Sequence, residues 1–136
     1  MADAKEDQDQ KRDRVDDLML HLARGRVALG AVALAAPGLT ARLTGMGGGK
    51  DGAASRDLVT RMFAAREIAL GAAYLIGTDS DRRLLARLGL MVDSLDTLSG
   101  TRSRKGLPLP ITAAAVVGAG GCAALGAAKV AKDLIR

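Results

Sequence analysis

Arg61, Arg66, Glu67, Asp93 and Asp96 are the residues whose types and spacing could do chemistry in this chain. They lie inside two apolar segments joined by a short charged turn, all within the stretch from Arg61 to Thr97. With the segments read as antiparallel helices joined near Thr78–Arg82, equal counting from the turn sets Arg66 opposite Asp93. Asp93 and Asp96 are three apart and share a helix face, so Arg61 is expected to reach toward Asp96 through a one-turn offset. Glu67 points elsewhere, toward His21, Arg24 or Arg26. Such a cluster in apolar surroundings has two uses. It locks helix register through ion pairs, or it forms a polar site for a proton relay, an ion path or a head group.

Other chemistries fail on spacing. Asp93-Ser-Leu-Asp96 could hold Mg²⁺ on a diphosphate. Membrane phosphatidyl-alcohol transferases, however, carry Gly after the pair and a second Asp pair beyond it. Here Thr97 stands in place of that Gly and no second pair follows. The run GMGGGKDG, Gly45 to Gly52, lacks the first Gly and the Ser/Thr of a phosphate-binding loop and reads as a flexible linker. His21 and Cys122 are single residues of their type, so no nucleophile–base pair, disulfide or zinc cluster is expected. The reading is therefore non-enzymatic, with no cofactor and no metal.

The elements that must position the cluster follow from composition. Of 136 residues, 49% are apolar, dominated by Ala and Leu, and the mean hydropathy is +0.13. Ala and Leu favour helix, and no alternating β-branched segment appears, so the fold class is all-α. The net charge of +5 is spread along the chain, and Phe63 and Tyr74 are its only Phe, Tyr or Trp residues, which argues against nucleic-acid binding. Residues 1–17 are highly charged and read as a disordered tail. Residues 18–136 then form one domain of four helices, at about 18–36, 58–77, 82–99 and 108–128.

Asp16 or Asp17 is the expected cap of the first helix, Ser55 or Asp57 of the second, and Asp79-Ser80-Asp81 of the third. Pro37 and Gly38 end the first helix. Gly100 to Gly106 reads as a basic loop, and Lys129, Lys132 and Arg136 as a short basic tail.

Gly106 to Ala128 carries no charge, a length that reads as a membrane span. Small residues recur every fourth position at Ala65, Ala69, Ala73 and Gly77, and again at Ala114, Gly118, Cys122 and Gly126. Such stripes let helices approach closely in lipid. The expected architecture is a four-helix transmembrane bundle, up-down-up-down. His21, Arg24 and Arg26 sit near one surface, with the Arg stems reaching out to water. Lys and Arg are more numerous in the flanks shared by the two termini and the central turn, which places both termini in the cytoplasm.

The order Arg26…Gly30…Pro37…Arg42-Leu-Thr-Gly45, then Arg61…Ala65-Arg66-Glu67…Leu70-Gly71, then Leu88-Gly89…Val92-Asp93…Asp96 resembles a family of small bacterial four-helix membrane proteins. It is the domain-of-unknown-function family numbered 4267 and its relatives. The likeness runs from about Arg24 to Ala128. It implies four spans in the bacterial inner membrane and no particular activity.

The functional expectation is an accessory, assembly or interaction subunit. It would sit in the lipid bilayer and pack through its Ala/Gly faces on a membrane-protein partner or a second copy of itself. The alternatives are a small proton- or ion-coupled transporter using the Arg/Glu/Asp cluster, and a pore-forming or lysis-type protein.

Overall fold

The computed structural model describes residues 2–44, 52–107 and 109–135. Among these residues the chain is all-helical: α1 (Ala2–Ala35), α2 (Pro37–Leu43), α3 (Ala53–Ile76), α4 (Asp79–Ser103) and α5 (Leu109–Leu134), with no strand. The four long helices alternate in direction and stand in a ring in the order α1, α3, α4, α5. The tight pairs are α1 with α3 and α4 with α5, while α3 and α4 touch only lightly. The sequence-adjacent hairpin of α3 and α4, expected as the organising unit, is thus the looser seam.

α1 and α3 meet along a seam in which Ala and Gly are interleaved with larger residues. On α1 the buried positions are Met19, Ala23, Arg26, Gly30 and Ala33; on α3 they are Thr60, Ala64, Glu67, Gly71 and Tyr74. Both sets advance by alternating steps of four and three. That spacing averages 3.5 residues per turn and keeps one face toward an antiparallel neighbour. A strict step of four drifts around the helix. This explains why Ala65 and Ala69 of the expected packing stripe are exposed, with Ala73 and Gly77 only half-buried. On α5, Ala114 and Gly118 face outward, Cys122 is half-buried, and Gly126 alone of that stripe is buried, against Leu90 of α4.

Helix limits differ from the sequence expectation at several places. The charged stretch expected as a tail is part of α1. It contains Ala, Glu, Gln, Lys and Arg, all good helix formers, and no Gly or Pro to stop it. Asp16 therefore lies within the helix rather than at its cap.

Pro37 does end α1, but it also occupies the first turn of α2, where its missing N–H costs nothing. The helix expected from Leu58 begins at Ala53, after Gly52 at φ +82°. Ser55 and Asp57 are inside it. The linker reading of residues 45–51 lies outside the described residues, as do Pro108 and Arg136. α4 runs to Ser103, through half of the expected basic loop, and Gly100 packs within 3.0–3.8 Å (measured from an ideal Cβ) of Ala115 and Val116. α5 continues through the expected basic tail to Leu134.

The cap of α4 is Thr78, one residue before the expected cluster. Its hydroxyl accepts from Asp81 N–H at 3.4 Å, and the Asp81 carboxylate accepts from Thr78 N–H at 2.9 Å, a reciprocal capping box. The Thr78 hydroxyl also donates to Asp81 Oδ2 at 2.7 Å. These bonds, hydroxyl first and backbone second, hold the Asp81 carboxyl below the usual aspartate value of 3.8. A carboxylate with a lowered folded pKa stabilises above its unfolded pKa and loses that contribution as pH falls through the folded value. The first turn of α4 should therefore loosen below the ordinary aspartate range. Amide exchange at residues 79–82, corrected for intrinsic rates, should show the loss in the native protein and not in Asp81→Asn. Thr78→Ala should cost about 1 kcal/mol at neutral pH.

Candidate functional site

Arg26 is the centre of a charge network that joins three helices. Its Nη1 donates to Glu67 Oε2 of α3 at 2.7 Å, and its Nη2 to Asp93 Oδ2 of α4 at 2.5 Å. The side chains of Arg26, Glu67 and Asp93 are 9%, 6% and 6% exposed. Glu67 then passes the network outward: its Oε1 lies 3.4 Å from Arg66 Nη2. Arg66 grips Asp96 with both nitrogens, Nη1 to Oδ1 at 3.1 Å and Nη2 to Oδ2 at 2.6 Å. The Arg66 guanidinium also sits 5.0 Å from the centre of the Phe63 ring. The order is Asp93, Arg26, Glu67, Arg66, Asp96, with the last pair about one-third exposed.

The local reason is the seam itself. Arg26 and Glu67 are the middle members of the two buried rows, so helix packing delivers both to the interior at the same level. Asp93 lies seven residues from both Ala86 and Gly100, the other buried positions of α4, and so reaches the same interior from the opposite pair.

Two expected pairings are corrected by this geometry. Arg66 pairs with Asp96 and Glu67, not with Asp93, because it stands one residue off the buried row of α3 and is half-buried like Asp96, whereas Asp93 faces the interior. Asp93 goes to Arg26, which was expected to reach outward to water. Arg61 is exposed and stands in no ion pair among the described residues. Glu67 does turn to α1, choosing Arg26 over Arg24 and His21. His21 Nδ1 instead donates to the Asp17 carbonyl at 2.7 Å. The clue that identified Arg26 was available: it lies in step with Ala23, Gly30 and Ala33 on one helical face.

A small cavity of about 20 Å³ adjoins the network, lined in part by Arg26, Asp93, Tyr74 and Cys122. That is room for about one water molecule.

A second cluster sits at the end of the bundle. Lys129 and Lys132 of α5, expected in a solvated tail, are 6% and 7% exposed. Lys129 donates to Asp133 at 2.7 Å and lies 3.0 Å from Asp16 Oδ1 of α1, and Lys132 donates to Asp16 Oδ2. These pairs clip the middle of α1 to the end of α5. Nothing in the local sequence announced the pairing, because the partners lie at opposite ends of the chain. Among the described residues, no group of three or more His, Cys, Asp and Glu stands close enough to hold a metal.

Comparison with protein-family models, curated proteins and solved structures found no match to this chain.

Proposed function

We propose that the chain is a multi-pass membrane protein, with α1, α3, α4 and α5 as four spans. We propose further that it serves as a non-enzymatic accessory or assembly subunit. The observation that carries this reading is the distribution of polarity. Large apolar side chains face outward on every helix, among them Leu29 and Val32 of α1, Leu58 and Met62 of α3, Met91 and Leu95 of α4, and Val117 of α5. The interior holds Arg26, Glu67, Asp93, Lys129 and Lys132, together with Ala, Gly and a few larger residues, Met19, Tyr74 and Ile111. A bundle made for water has the opposite arrangement, and an apolar surface this extensive needs an apolar neighbour.

Two helices, over Asp13–Ala35 and Leu109–Leu134, are long and apolar enough to cross a membrane by length and composition. The helices α3 and α4 fall short of that measure because they carry Arg61, Arg66 and Glu67, and Arg87, Asp93 and Asp96, in their apolar stretches. In this reading Arg66, Glu67, Asp93 and Asp96 are matched in the network, which lowers the cost of placing them in lipid, and the exposed Arg61 and Arg87 reach along their stems toward water. The Lys/Arg bias favours cytoplasmic termini.

The resemblance to the family numbered 4267 belongs to the same proposal. Arg26, Arg66-Glu67, Asp93 and Asp96, all among the residues that suggested it, are the five members of the network. The subunit role rests on the outward small residues Ala65 and Ala69 of α3 and Ala114 and Gly118 of α5. The chain's own bundle leaves them free for close packing by another helix.

The test is fractionation of the native host with an alkaline wash, then extraction in mild detergent and identification of co-purifying chains. Retention in the washed membrane with a stoichiometric partner or a second copy is the expected result. Recovery in the soluble fraction would overturn the membrane reading. A lone monomer in the membrane would overturn the subunit role.

One feature favours a second reading, an ion-coupled carrier. The network sets two cations against three carboxylates, so one carboxylate has no full counter-charge to itself. On that reading Asp93→Asn abolishes proton or ion flux in proteoliposomes while the protein still accumulates. Unchanged flux with normal accumulation would remove it.

A further inference from the structure

A cavity of about 180 Å³ opens at the bundle end where α1, α3, α4 and α5 converge. Its wall mixes signs: Arg82, Arg83 and Lys129 stand with Asp16, Asp79 and Asp133, next to Tyr74. Two features of this wall point to a ligand.

The first is an acceptor with nothing to accept. The Asp133 side chain is only 3% exposed, and its Oδ1 takes the Lys129 ammonium at 2.7 Å. Its Oδ2 is buried with no hydrogen-bond partner. A buried carboxylate oxygen in that state carries its desolvation cost uncompensated. The position calls for a hydrogen-bond donor.

The second is a pair of neighbouring guanidinium groups, one of them held in place. Arg82 Nε donates to the Tyr74 carbonyl at 3.1 Å and Nη2 to the Leu75 carbonyl at 3.4 Å, which holds the side chain across the end of α3. Its Nη1 has only Asp79, at 3.8 Å, whose side chain is 91% exposed. Arg83 beside it is exposed and in no ion pair among the described residues. Two adjacent arginines with donors to spare suit a phosphate.

A ligand that satisfies both features carries a phosphate and an N–H donor a short link apart. We propose that this cavity binds the headgroup of a phospholipid bearing a primary ammonium, its phosphate on Arg82 and Arg83 and its ammonium on Asp133. The proposal rests on the membrane reading above, under which this end of the bundle meets the lipid–water boundary. A choline headgroup has no N–H to give and leaves Asp133 Oδ2 unpaired. Selectivity between the two headgroups is therefore its signature.

The experiment uses the full chain, purified in non-ionic detergent and stripped of lipid. Its thermal unfolding is followed against dihexanoyl-phosphatidylethanolamine, dihexanoyl-phosphatidylcholine and soluble phosphoethanolamine. The ethanolamine lipid should raise the unfolding temperature and bind about tenfold more tightly than the choline lipid. Asp133→Asn should erase that preference. Arg83→Gln, at an exposed position that the fold does not need, should weaken both lipids by a similar factor.

Equal binding of the two lipids overturns the proposal, as does a preference that survives Asp133→Asn together with undiminished binding by Arg83→Gln. Soluble phosphoethanolamine binding as tightly as the lipid also overturns it, since the occupant is then a soluble molecule. A chain that fractionates with the membrane yet shows no headgroup preference defeats this inference alone and leaves the membrane reading standing.

Discussion

Arg26→Met should destabilise the protein by about 3–5 kcal/mol, the largest effect expected from any single substitution in the chain. The loss is not simply that of two ion pairs. Removing the guanidinium leaves Glu67 and Asp93 buried at one level of the bundle with their shared counter-ion gone, and two like charges then face each other in a poor dielectric. Arg66 compensates only in part: its Nη2 lies 3.4 Å from Glu67, but both Nη atoms bond Asp96 and neither reaches Asp93.

The triple variant Arg26→Met/Glu67→Leu/Asp93→Leu should recover most of the loss. Buried ionic groups replaced together by apolar ones of similar size are often neutral or stabilising. Thermal unfolding in mild detergent measures both. A single variant as stable as the native chain would show that Arg26 does not hold the helices together. A triple variant no better than the single would show that the network gives more than mutual neutralisation. Asp96→Asn should matter less, since its pair with Arg66 is about one-third exposed and solvent weakens such pairs.

The second large effect should come from Gly71→Ala. A Cβ at that position would lie 2.5 Å from the Ala23 carbonyl oxygen and 2.8 Å from Val27 Cγ2, both on α1. Gly30 is its counterpart on the facing helix, where a Cβ would meet Ile68 Cγ1 at 2.6 Å and the Ala64 carbonyl oxygen at 2.7 Å. A backbone oxygen cannot step aside as a side chain can, so α1 and α3 must separate, at a cost of about 1–3 kcal/mol for each substitution.

Separation also pulls Arg26 from Glu67, since both sit between these glycines on the same seam. Gly71→Ala should thus behave partly like Arg26→Met, and the two together should cost less than their sum. Gly25→Ala is the control. No atom comes within 4 Å of a Cβ there, and Ala is the better helix former, so the change should be neutral or favourable by about 0.5–1 kcal/mol. Equal effects at Gly25 and Gly71 would show that the close approach of α1 and α3 is not what the glycine provides.

The helical class was legible in the sequence because Ala and Leu dominate it and the breakers are few. Arg66, Glu67, Asp93 and Asp96 could be named from the sequence because ions are rare in apolar segments, but Arg61, named with them, lies outside the network and Arg26, at its centre, was expected to reach outward. The pairing among them was not legible. Local counting from the turn paired Arg66 with Asp93, a step that assumes the two helices beside the turn are the ones in closest contact. In the structure the close neighbour of α3 is α1, across a short helix and a glycine-rich connection. The packing faces were missed for a related reason. Ala65-Ala69-Ala73-Gly77 is the more regular row, but the row in use is Thr60-Ala64-Glu67-Gly71-Tyr74. That row has a carboxylate at its centre, so a search for small residues alone passes over it. The same residue that disguised the seam is what Arg26 requires. The clip between Asp16 and the lysines of α5 was invisible to any local reading, since it joins opposite ends of the chain.

The span of the network along the chain has a consequence for how the protein is made. Arg26 leaves the ribosome first, and its two acidic partners follow 41 and 67 residues later. Through that interval the guanidinium must stay hydrated or borrow a temporary partner. Glu67 gives it a first neighbour as α3 docks on α1, while Asp93 can arrive only with α4. Completion of the triad therefore marks the moment at which the two helix pairs have found each other. A chain interrupted before Asp93 keeps its first half chemically unfinished, exposed to whatever quality control recognises an unmatched ion.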